Sequence, residues 1–132
     1  MPEQERQQVL QGMTHKVVTG CGNAYITVNF LDEKPFEVFC TLGKAGQCIQ
    51  AQLEAITRLS TLGLRSGVKV EDVYRQLIGI RCNAAMPVVE GRVLSCADAI
   101  AQVLKNYLPP EAPDLSSAPP IIPVSSGAAN VV

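Results

Sequence analysis

Ala24-Tyr25-Ile26-Thr27-Val28-Asn29-Phe30 is the stretch that decides the fold. Successive side chains of an extended chain point to opposite faces. Ala24, Ile26, Val28 and Phe30 therefore share one face, and Tyr25, Thr27 and Asn29 share the other. One side apolar and one side mixed is the pattern of a half-buried strand. After Asp32-Glu33-Lys34-Pro35 the alternation returns from Phe36 to Thr41, with Phe36, Val38 and Cys40 on one face. The spacing predicts a hairpin of strands 24–30 and 36–41, joined by a loop of about four or five residues. Upstream, His15-Lys16-Val17-Val18-Thr19 reads as another strand. Gly20-Cys21-Gly22 reads as a turn, because glycine relaxes backbone sterics on both sides of the cysteine.

Past Gly43-Lys44-Ala45-Gly46 the period changes. Ile49, Leu53, Ile56, Leu59 and Leu62 recur every three to four residues, the apolar stripe of an amphipathic helix. The stripe predicts a helix over 47–65 that stops at Ser66-Gly67, with Arg65 near its negative end. Val70, Val73 and Leu77 predict a shorter helix over 70–78, ended near Gly79. Residues 81–93, with Pro87 and Gly91, read as an irregular connector. Ser95 then caps a third helix over 96–108, with Asp98 in the third position of a capping box. The expected fold is α+β: a small antiparallel sheet of about three strands packed against two to three helices. The expected organisation is a polar, helical or frayed extension over 1–13, a domain over 14–108, and a flexible Pro/Ser/Ala tail over 109–132.

A chain of 132 residues suits one domain. Aromatic residues are 5% and tryptophan is absent, so Val, Leu, Ile and Ala must build the core. A net charge of −1 argues against a general nucleic-acid binder. No apolar run approaches the roughly 20 residues that span a bilayer. The polar start Met1-Pro2-Glu3-Gln4-Glu5-Arg6 lacks a signal-peptide core. A cytoplasmic location is the expectation.

The chemistry-bearing residues are five cysteines, an odd number: Cys21, Cys40, Cys48, Cys82 and Cys96. In a reducing compartment they are metal ligands, reactive thiols or small buried hydrophobes. Cys40 lies mid-strand on an apolar face and reads as core. Cys21, Cys48, Cys82 and Cys96 all fall in turns or at helix starts, where side chains can converge. They are the candidate metal set, with zinc the candidate ion. No Cys-x-x-Cys pair supports that set. Cys48 and Cys96 fall in first helical turns, whose unpaired N–H groups stabilise a thiolate. Lys44, Gly46 and Gln47 are candidate anion contacts, because a Gly-rich turn into a helix can hold a phosphate. The spacing is not that of a P-loop, and an ordinary strand-to-helix turn is the competing reading. His15, the only histidine, reads as a solvated strand residue.

The segments Gly43-Lys44-Ala45-Gly46-Gln47-Cys48, Gly79-Ile80-Arg81-Cys82 and Leu94-Ser95-Cys96-Ala97-Asp98 carry a resemblance. Together they resemble the TSCPD domain, the small C-terminal domain of vitamin-B12-dependent (class II) ribonucleotide reductases. Thr19-Gly20-Cys21-Gly22, Pro35-Phe36-Glu37-Val38-Phe39, Gln52-Leu53-Glu54-Ala55-Ile56 and Leu64-Arg65-Ser66-Gly67 extend it over roughly residues 16–108. Two departures stand out. Ala97 replaces the proline of the signature, which is favoured but not required at a helix start. Asn83-Ala84-Ala85-Met86 replaces a Pro- and Trp-containing connector.

The resemblance implies a role in reducing ribonucleotides to deoxyribonucleotides for DNA synthesis. Class II enzymes use adenosylcobalamin to make a thiyl radical on a large α/β barrel. A terminal Cys-x-x-Cys pair relays reducing equivalents to them. Neither the barrel nor that pair is found in these 132 residues. The implied role is an accessory domain or small subunit, non-catalytic on its own. The implied partner is the catalytic chain of a class II ribonucleotide reductase, which carries the adenosylcobalamin. No cofactor beyond zinc is expected on this chain itself. The alternative is a stand-alone cysteine-based metal-binding or redox module; an enzyme with its own thiol chemistry is the weakest reading.

Overall fold

A computed structural model of the chain describes residues 2–43, 47–82 and 93–110. Strands β1 (Gln11–Thr19), β2 (Gly22–Leu31) and β3 (Lys34–Leu42) form an antiparallel sheet in the order β1-β2-β3. Helices α1 (Gln47–Arg65), α2 (Val70–Leu77) and α3 (Cys96–Leu104) follow, and a 3-10 turn spans Lys105–Tyr107. This is the expected α+β arrangement.

The alternation in β2 sets which face the helices cover. Ala24, Ile26 and Val28 are fully buried, whereas Tyr25 is exposed on the other side. Val38 and Cys40 of β3 continue the inner face, and Leu53, Leu64, Ile100 and Leu104 of the helices close over it. Burial of each large aliphatic side chain contributes about 1.5–3 kcal/mol, so this single layer of helices is the main stabilising contact.

Three details differ from the sequence-based expectations. The first is the start of β1, which begins at Gln11, inside the segment read as an extension. Gly12 pairs with Asn29, and a Cβ there would lie 1.8 Å from the Asn29 Oδ1 atom. Asn29 in turn donates to the Glu37 carboxylate at 2.8 Å. The missing Cβ of Gly12 is thus what admits the Asn29 side chain.

The second is the β2–β3 connection, a two-residue turn rather than a loop of four or five. Leu31 pairs with Lys34, and Asp32 and Glu33 have φ of 52° and 65°. Positive φ at both central residues matches the right-handed twist of the strands. Asp-Glu is not the usual sequence for such a turn, so the strands impose it.

The third is the buried face of α1. Leu53 is buried and Ile56 half-buried, but Leu59 is 70% and Leu62 47% exposed. The contact face runs instead through Gln50, Leu53, Thr57, Thr61 and Leu64. Two of its polar side chains serve the backbone of β3. Gln50 accepts from Leu42 N–H at 3.1 Å and donates to the Cys40 carbonyl at 3.2 Å. The Thr61 hydroxyl accepts from Val38 N–H at 3.0 Å and donates to the Val38 carbonyl at 3.1 Å. These are the groups that an edge strand leaves unpaired.

Residues 83–92 and 111–132, and hence most of the expected connector and tail, lie outside the described residues.

Candidate functional site

The β1–β2 turn, the start of α3 and the segment after α2 meet at one end of the sheet, and each brings a cysteine. Thr19 organises the turn. Its hydroxyl accepts from Cys21 N–H at 3.1 Å and donates to the Gly22 carbonyl at 2.8 Å, with Gly22 at φ 132°. A short hydroxyl side chain bonding two residues on is a common way to fix a turn. The same Thr19 oxygen lies 3.9 Å from the Cys96 Sγ atom.

Cys96 is the first residue of α3, whose start is built as a cap. Ser95 Oγ accepts from Asp98 N–H at 3.0 Å. The Asp98 carboxylate departs from the usual capping box. It accepts from Leu94 N–H at 3.0 Å and from Gly79 N–H at 2.8 Å, beyond the end of α2. Gln102 donates to it at 2.7 Å. Asp98 is 2% exposed, and these donors satisfy the buried charge. One carboxylate thus holds the end of α2 against the start of α3. Cys82 N–H then donates to the Leu94 carbonyl at 3.0 Å, which lays Cys82 alongside the approach to Cys96.

Cys21 is the shared neighbour of Cys96 and Cys82. Burial pushes its thiol above the ordinary value, and the adjacent Cys96 and Cys82 thiols push it further. Cys40 is buried, as read from the sequence. Its thiol is pushed up to about 12, by burial first and by Cys96 second. Three of the four candidate metal ligands, Cys21, Cys82 and Cys96, are therefore brought together, each half-buried. Cys48 is exposed at the second residue of α1 and is not among the thiols acting on Cys21. Among the described residues, no group of three or more His, Cys, Asp or Glu side chains is arranged to hold a metal ion. Cys21 thus sits between the Cys96 and Cys82 thiols.

Of the candidate anion contacts, Lys44 and Gly46 lie outside the described residues, and Gln47 is the first residue of α1. His15 is half-buried, not simply solvated. Its Nε2 meets the Tyr107 hydroxyl, and the two rings sit edge to face with centroids 5.7 Å apart. The contacts of Thr19 with Cys96 and of Tyr107 with His15 are what the sequence did not announce. The Thr-x-Cys spacing was the available signal for the first; the second depends on a contact across 92 residues.

A family model for the TSCPD domain matches residues 2–108, which include Thr19, all five cysteines and the Ser95–Asp98 cap. The chain belongs to the TSCPD domain family. Membership associates it with ribonucleotide reductases. The match takes in the N-terminal segment as well, so the strand that begins at Gln11 is part of the TSCPD domain. Neither the curated proteins nor the solved structures contain a significant match. Among the described residues, no helix of this TSCPD domain is long and apolar enough to cross a membrane.

Proposed function

We propose that this chain acts as an accessory component of an adenosylcobalamin-dependent, class II ribonucleotide reductase, in contact with the catalytic chain and non-catalytic by itself. The observation that carries this reading is the TSCPD match over residues 2–108, which covers all the secondary structure described. Two features agree with it. The described body is a three-stranded sheet with one layer of helices, so one face of the sheet is left uncovered by helices. The outer face of the sheet exposes Tyr25 at 39% and Phe39 at 48% of their surface, beside Val18 at 56%. Aromatic side chains of this kind are enriched where proteins meet.

The test mixes the purified chain with a class II catalytic chain. Calorimetry reads binding, and nucleotide reduction is followed with and without the chain. Binding with a change in rate, and no reduction by the chain alone, is the expected result. Reduction by the isolated chain, or neither binding nor a rate effect, would overturn the proposal.

A further inference from the structure

The proposed accessory role makes no use of the cysteine cluster, whose arrangement has chemistry of its own. Cys21 and Cys96 come from segments far apart in sequence, yet Thr19 bonds the backbone of one and touches the sulfur of the other. Cys82 flanks the pair through its bond to Leu94. The turn holding Cys21 and the capped start of α3 are both fixed by hydrogen bonds, so the two thiols are held as neighbours before any reaction.

We propose that Cys21 and Cys96 form a reversible disulfide by exchange with a small-molecule disulfide. The exchange has two steps. The Cys96 thiolate attacks one sulfur of the small disulfide, forming a mixed disulfide and releasing one small thiolate. Cys21 passes its proton to that thiolate and attacks the Cys96 sulfur, forming the Cys21–Cys96 bond and expelling the second small thiolate. That thiolate takes up the proton Cys96 had lost. Two electrons move from the cysteine pair to the small disulfide, which is reduced to two thiols. Cys96 is the attacking group because it opens α3 at the capped helix start, whereas Cys21 lies in the turn between the two other thiols. Cys40, buried in the core with its thiol pushed up to about 12, takes no part.

The experiment uses the full chain alone, so it is independent of any reductase partner. Oxidised glutathione is added, free thiols are blocked by alkylation after unfolding, and peptides are mapped by mass spectrometry. The expected map shows a peptide linking Cys21 to Cys96, the loss of two of the five free thiols, and full recovery with dithiothreitol. Cys82→Ser should keep the link. Cys21→Ser should leave glutathione attached at Cys96. Absence of the linked peptide in the wild-type chain overturns the proposal. So does Cys21 linked to Cys82 as the main product, or an intramolecular disulfide that survives in Cys21→Ser. The wild-type map decides the matter even if the serine variants fold poorly.

Discussion

The two edges of the sheet are treated differently. Along β3, Gln50 and Thr61 of α1 take up the backbone groups of Val38, Cys40 and Leu42. Along β1, among the described residues, no backbone group of the outer edge is bonded to another segment. The contrast extends to charge. Glu37 of β3 is 1% exposed and is held by Arg6 at 2.9 Å and by Asn29, so the N-terminal segment also covers this side. β1 presents Lys16 and exposed Met13 and Val18 instead. The lesson is that polar residues on a helix's contact face can be structural parts of a sheet. Placed against a strand edge, an amide or hydroxyl can replace a whole neighbouring strand.

The sharpest way to break this comparison is to remove one hydroxyl from each side. Thr61→Val leaves Val38 N–H and C=O without partners in a buried strand. Denaturant unfolding should show a loss of about 1–3 kcal/mol. Thr14→Val on β1, which removes an exposed bond to Thr27, should stay within about 0.5 kcal/mol. Equal losses at the two positions would end the claim that α1 seals an edge.

A smaller effect tests the buried charge. Burial pushes the Glu37 carboxyl up, but hydrogen bonds from Arg6 and Asn29 and the charges of Arg6 and Arg65 outweigh it, leaving Glu37 below the ordinary value. A carboxyl lowered in the folded state contributes stability that is complete above its unfolded value of about 4.5 and is lost as the pH falls through the folded value. Urea midpoints of the wild-type chain should therefore drop below about pH 4.5, with a shallower drop in Glu37→Gln. Parallel profiles for the two would refute the assignment.

The smallest effect lies at the turn that joins the sealed strand to β2. Glu33 occupies a left-handed conformation at φ 65°. Glu33→Gly removes that strain at some entropic cost, and a net stabilisation of up to about 1 kcal/mol should appear as a higher melting temperature. A lower melting temperature would mean that the Glu33 side chain contributes more than its backbone costs.

These contrasts also explain what the sequence revealed. The bounds of α1 were legible because Gly43 to Gly46 and Ser66-Gly67 bracket a helical period. Its orientation was not, since Leu59 and Leu62 fit the stripe as well as Thr57 and Thr61 do. Only the position of β3 selects between them. The turn was misjudged because Asp32-Glu33 lacks the glycine that announces a tight hairpin. The convergence of Cys21, Cys82 and Cys96 was foreshadowed by their places in turns and at a helix start. Cys48 shares such a place but not the gathering, because placement along the chain says nothing of which turns meet.

The Asp98 carboxylate has one more consequence. Its bonds to Gly79 and Leu94, with the Cys82–Leu94 bond, fasten the end of α2 to the approach to α3. Gly79 follows α2 and Leu94 precedes α3, so one side chain anchors two helices at once. Its loss would release both together, which makes Asp98 a single point of failure for this end of the helical layer.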